Sequence, residues 1–138
     1  MRKTILVVED EVGVRRVLAR LLGERGFRTI EAGNGREAIQ RLSEETPSAI
    51  VIDLFMPVMS GVELLKALRR NAYYQKIPTV VMTGSGITEF WGVPTVMKPN
   101  IEGLASVIEG LLAAAPDDAV RDGVPSTPPS GEVSTALQ

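Results

Sequence analysis

The chain of 138 residues contains no cysteine, which excludes disulfide bridges and thiolate metal sites. Histidine is missing as well. That removes the commonest general base, the commonest metal ligand and any phosphohistidine of the chain's own. A basic excess is also lacking: the formal net charge is −2, so nothing points to direct nucleic-acid binding. Long apolar runs are absent too. No stretch approaches the roughly 18 residues a membrane span needs. Ile5-Leu6-Val7-Val8 ends at Glu9-Asp10-Glu11, too soon for the core of a secretion signal. The expectation is a cytoplasmic protein without membrane insertion.

What is present suits one domain with one core. The hydrophobic fraction is 44%, and the length fits a single unit. The composition changes after Ala115. Pro116, Pro125, Pro128 and Pro129 stand among Ser, Thr, Asp and Gly. Asp117, Asp118, Asp122 and Glu132 face only Arg121 there, so the acidity is concentrated in this tail. Such a segment buries too little surface to offset its ordering entropy. The expected organisation is a folded domain over 1–115 and a disordered Pro/Ser/acidic tail over 116–138.

Four short apolar runs read as buried strands: Thr4–Val8, Ala49–Ile52, Thr79–Met82 and Thr95–Met97. They show little alternation, as expected when both faces of a parallel sheet are covered. Phe27–Glu31 is a weaker, edge-like candidate. Helical spacing links Val14, Val17, Leu18, Leu21 and Leu22, with Gly26 as a stop. Asn34 with Glu37 and Ser60 with Glu63 read as capping boxes. Asn100 is placed to cap a last helix carrying Ile101, Leu104, Ile108 and Leu111. Strict alternation of the two patterns predicts a doubly wound α/β fold with a five-stranded parallel sheet. The stretch between Met82 and Thr95 is short and holds Gly84, Gly86, Gly92 and Pro94, so a fourth helix there is expected to be short or absent.

In such sheets functional residues gather at the carboxyl ends of the strands. Glu9 and Asp10 follow the first run, Asp53 the third, Thr83 the fourth and Lys98 the fifth. A lone acid, Thr or Lys at a strand end is ordinarily a solubiliser or a cap. Five such residues at four strand ends are not expected by accident. In a 2-1-3-4-5 strand order Asp10 approaches Asp53. Clustered carboxylates raise the cost of ionising one another, and a divalent cation with oxygen ligands offsets that cost. Mg²⁺ is the natural choice where soft ligands are missing. Asp53 would then be a carboxylate nucleophile toward a phosphoryl group. Lys98 and Thr83 would supply a compact charge and a hydroxyl to its oxygens. Glu11 is read as favouring the first turn of the next helix through the dipole.

Val7-Val8-Glu9-Asp10-Glu11, Asp53-Leu54-Phe55-Met56-Pro57-Val58-Met59-Ser60-Gly61, Met82-Thr83-Gly84 and Lys98-Pro99 together resemble the response-regulator receiver domain of two-component signalling. The resemblance covers about Met1 to Ala115 and implies a flavodoxin-like fold of order 2-1-3-4-5. Carried over by position, Asp53 resembles the family's phosphoacceptor and Asp10 its direct metal ligand. By the same resemblance Glu9 would act on the metal mainly through water, and Phe55 occupies the position whose backbone carbonyl would also bind it. Thr83 resembles the switch hydroxyl, and Lys98 resembles the phosphate-pairing lysine. The implied cofactor is Mg²⁺. The implied partners are a sensor histidine kinase or histidine phosphotransfer protein, and a downstream protein target. A stand-alone phosphorelay receiver, monomeric or weakly dimeric, is the expectation. It would not be a conventional enzyme, since it catalyses only its own phosphorylation and dephosphorylation.

Two departures accompany the resemblance. The family usually has an aromatic residue three positions before the lysine, and here that position is Thr95. The segment between Thr83 and Lys98 is also shorter than usual, and Phe90 and Trp91 are the candidates to stand in for the missing ring. A phosphorylation-independent binding module on the same fold is the alternative. A haloacid-dehalogenase-type phosphatase would need D-x-D on the first strand, which Asp10-Glu11-Val12 does not supply. Gly84-Ser85-Gly86 lacks the third glycine and following helix of a dinucleotide-binding loop.

Overall fold

The computed structural model describes residues 2–56, 58–84, 89–90, 93–97 and 100–114, without the side chains of residues 89, 90, 97 and 101. Lys98, Trp91 and the tail 116–138 lie outside the described residues, as does the ring of Phe90.

The elements alternate along the chain as β1 (Thr4–Val8), α1 (Val12–Glu24), β2 (Arg28–Ala32), α2 (Gly35–Glu44), β3 (Ala49–Asp53) and α3 (Gly61–Arg69). A 3₁₀ turn (Tyr74–Lys76), β4 (Thr79–Thr83), β5 (Glu89–Phe90), β6 (Val93–Met97) and α4 (Ile101–Ala114) follow. The sheet order is β2-β1-β3-β4-β6-β5. All pairings but the last are parallel. The expected five-stranded parallel order is therefore present, with β6 as its fifth strand.

Alternation along the strands divides the core in two. Leu6, Val8, Ile50 and Ile52 face Ala38 and Leu42 of α2 and Leu64, Leu65 and Leu68 of α3. Ile5, Val7, Ala49 and Val51 face Leu18 and Leu22 of α1 and Leu104 and Ile108 of α4. The apolar side chains of β1 and β3 are thus buried on both faces, which explains their unalternating sequence. Each fully buried Leu, Ile or Val contributes about 1.5–3 kcal/mol.

The helix ends follow the sequence signals closely. Gly26 adopts φ +96°, and its N–H and that of Phe27 donate to Gly23 O and Leu22 O, the Schellman pattern that closes α1. Ser60 and Glu63 form the full capping box. Asn34 accepts from the Glu37 N–H at 2.9 Å, while the Glu37 carboxylate reaches one residue further back, to the Gly33 N–H at 2.7 Å. Asn100 accepts from the Gly103 N–H at 2.9 Å.

The short connection between β4 and β6 carries a feature that the sequence reading did not anticipate. Among its described residues Glu89–Phe90 is a strand, antiparallel to β6, with Phe90 opposite Val93 and Glu89 opposite Pro94. Pro94 therefore lies inside β6 rather than before it. It precedes Thr95, where the β4 ladder begins, so its missing N–H breaks no bond of that ladder.

Candidate functional site

The register sets the site. Val8 pairs with Ile52, so the chain leaves β1 at Glu9 beside the end of β3 at Asp53. Asp53 in turn pairs with Met82, and Thr83 is the last residue of β4, opposite Met97. One sheet edge thus carries Glu9, Asp10, Asp53 and Thr83.

Carboxylate oxygens of Glu9, Asp10 and Asp53 lie within 4.8 Å of one another. Glu9 is 1% exposed and Asp53 6% exposed. Asp10 is half-buried, and so is the most open of the three. Oxygens sharing one divalent cation, each about 2.0–2.6 Å from it, are at most about 5 Å apart. The cluster therefore has the spacing and the hard-donor chemistry that such a cation requires.

The local structure explains why these side chains stay in place. The Glu9 N–H donates to Ala32 O at 3.0 Å, which fixes the first residue past β1 against the end of β2. Its carboxylate accepts the Glu11 N–H at 3.2 Å, at the start of α1, where the helix dipole favours negative charge. Glu11 is the N-cap residue, exposed and without a side-chain cap bond. The Phe55 N–H donates to Asp53 Oδ1 at 3.3 Å, in the manner of an Asx turn. Phe55 itself is 62% exposed.

The loop after β3 is tied down at two glycines. The Gly61 N–H donates to Leu54 O at 2.9 Å, and a Cβ at Gly61 would stand 2.0 Å from Asp53 O. The Gly35 N–H donates to Met59 O at 2.9 Å, and a Cβ there would meet Met59 O at 2.8 Å. Only glycine allows these approaches, which set α3 against the backbone of Asp53 and α2 against that of Met59. Within it Val58 takes φ 67° while 71% exposed, a strained state for a β-branched residue.

Thr83 is fully buried. Thr95, at the position of the missing ring, is half-buried, and its hydroxyl donates to Val93 O at 3.3 Å. Lys98 lies outside the described residues, directly after β6. One residue escaped the sequence reading altogether. Arg15, on α1, donates from Nη1 to the main-chain oxygen of Glu9 at 2.8 Å and from Nε to Glu31 Oε1 at 3.0 Å. Its spacing from Glu9 carries no motif, and only the folded arrangement brings the two together.

Residues 5–91 match the family model described as the response regulator receiver domain. Among curated relatives, the phosphate regulon transcriptional regulatory protein PhoB of Escherichia coli is 36% identical over 89 residues, 64% of this chain and 39% of that protein. Sporulation initiation phosphotransferase F of Bacillus subtilis is 33% identical over 86 residues, 62% of this chain and 68% of that protein. The chain thus spans about two fifths of the length of the PhoB relatives it matches. Among solved structures, the chemotaxis response regulator CheY4 of Vibrio cholerae superposes with a TM-score of 0.73 at 27% identity, covering 80% of this chain and 99% of that one. The receiver domain of hybrid histidine kinase CckA gives a TM-score of 0.68 at 37% identity, covering 79% and 98%.

Proposed function

The chain belongs to the response regulator receiver family, and from that premise we propose that it accepts a phosphoryl group on Asp53 from a partner's phosphohistidine. The observation that carries this reading is the convergence of the Glu9, Asp10 and Asp53 carboxylates within 4.8 Å at the strand ends, beside Thr83.

In this reading an Asp53 carboxylate oxygen attacks phosphorus as the P–N bond of the donor breaks. The imidazole leaves and an acyl phosphate remains. Asp10, Asp53 and the Phe55 carbonyl would hold Mg²⁺, with Glu9 acting through water. The ion, when bound, offsets the negative charge that would otherwise repel an incoming phosphoryl group. The Thr83 hydroxyl donates to one phosphoryl oxygen. Lys98, assigned by its place after β6, pairs with another. The close approach of Gly61 to the Asp53 backbone keeps Asp53 oriented, so that little of the binding free energy goes into ordering it.

The domain extends over residues 1–115 in this reading, and the tail follows it. The protein works in the cytoplasm with a sensor histidine kinase or histidine phosphotransfer protein as donor, and its output is an altered protein contact. Among the described residues no helix is long and apolar enough to cross a membrane. The test is incorporation of phosphoryl from acetyl phosphate or a phosphorylated phosphotransfer protein, with Mg²⁺ and with chelator. Labelling that requires Mg²⁺ supports the proposal. A chain that is never labelled, yet still binds a signalling partner, would instead be a phosphorylation-independent module.

A further inference from the structure

We infer that Arg15 is a positioning residue for the acidic cluster, holding the Glu9 backbone so that the three carboxylates converge on one cation. This rests on the proposed Mg²⁺ site. The guanidinium spans two strand ends: Nη1 grips the Glu9 carbonyl at 2.8 Å, and Nε grips the Glu31 carboxylate at 3.0 Å. Its side chain is only 16% exposed. A planar fork with donors in fixed directions makes both contacts at once, which a lysine's single ammonium does poorly across such a span.

Two further contacts explain why the hold matters. Glu9 is the residue where β1 ends, and its N–H is already tied to Ala32 O at 3.0 Å. With its carbonyl gripped by Arg15, the peptide groups on both sides of Glu9 are fixed. The Glu9 carboxylate and the Asp10 side chain then start from a set backbone. Arg15 is itself confined by Gly33, where an added Cβ would stand 3.2 Å from Nη1. The clamp thus joins α1, β1, β2 and the turn into α2 at the metal-binding edge. Groups that orient ligands in this way commonly alter metal affinity by about 10–100-fold when removed.

Charge needs separating from position, because a lone cation near the cluster would repel Mg²⁺ and a lone Glu31 would attract it. Arg15 and Glu31 cancel as a pair. The double variant Arg15→Met/Glu31→Gln removes both grips while leaving the net charge of the pair unchanged. The matched control is Arg28→Met/Glu45→Gln, which removes another Arg–Glu pair, joining the first residue of β2 to the end of α2 at the sheet edge opposite the cluster. Calorimetric titration with Mg²⁺ should show the dissociation constant of the Arg15/Glu31 variant raised about 10-fold or more, and that of the control within about twofold of the parent. In the metal-free protein, exchange of the Glu11 amide, which donates to Glu9 Oε2, should quicken in the first variant only. Should that variant fail to fold, Arg15→Lys, which keeps the charge but not the fork, should show a smaller rise in the same direction. An Arg15/Glu31 variant, or in its place Arg15→Lys, that binds Mg²⁺ within twofold of the parent overturns the inference, as does a control that weakens binding equally. A parent protein that binds no Mg²⁺ at all refutes the underlying site instead.

Discussion

Replacing Gly61 by alanine should damage both the fold and the site, and the structure gives the size of the effect. The new Cβ would stand 2.0 Å from Asp53 O, 2.7 Å from Asp53 C and 2.7 Å from Leu54 Cα. Every one of these atoms is backbone, so no flexible side chain can swing aside. The loop has to move off α3, and that breaks the 2.9 Å bond from the Gly61 N–H to Leu54 O. Overpacking costs about 1–3 kcal/mol and the lost bond about 1 kcal/mol. The expected destabilisation is therefore about 3 kcal/mol, a melting-temperature drop of roughly 12–20 °C for a domain of this size. Urea denaturation followed by circular dichroism measures it. Gly110→Ala in α4 is the comparison: nothing lies within 4 Å of its added Cβ, so the helix should gain about 1 kcal/mol. A Gly61→Ala protein within about 1 kcal/mol of the parent would refute the packing of α3 against Asp53.

Val58→Gly should stabilise the protein by about 1 kcal/mol, since relief of the φ 67° conformation outweighs the added chain entropy; equal or lower stability in denaturant would show the backbone there is unstrained. Asp10→Ala should weaken Mg²⁺ binding but raise the stability of the metal-free protein by about 1 kcal/mol, because three carboxylates within 4.8 Å repel at surface-like dielectric. A thermal melt with and without Mg²⁺ reads both effects, and a metal-free variant less stable than the parent would contradict the repulsion. Deleting Pro116–Gln138 should change stability by no more than the roughly 0.5 kcal/mol of ordinary surface changes, and a loss above about 1 kcal/mol would show that the tail packs on the domain.

Much of the fold was legible because its signals are local. The buried runs at Thr4–Val8 and Ala49–Ile52, the Ser60/Glu63 box and the Gly26 stop each act over a few residues, and each is present in the structure. Glu9, Asp10 and Asp53 were legible as a cluster because strand order and parity bring strand ends together. What escaped depends on distant partners. Glu89–Phe90 became a strand only because Val93 and Pro94 return beside it; its two residues are too few to show a period, and Pro94 read as a strand boundary. Arg15 has no signature in sequence because its partners, Glu9 and Glu31, belong to two different strand ends. The close approaches at Gly61 and Gly35 are likewise set by how two helices meet one loop, although the glycine of the Asp53–Gly61 stretch marked one of them.

The central claim is that Asp53 takes the phosphoryl group. The direct measurement is mass-spectrometric mapping of the protein after Mg²⁺-dependent reaction with acetyl phosphate and reductive trapping of the acyl phosphate. The expected result is a single modified position at Asp53 in the parent, and no modification in Asp53→Asn, whose amide cannot form the acyl phosphate. Undiminished labelling of Asp53→Asn, or trapping at Asp10 or Glu9 in the parent, would contradict the account.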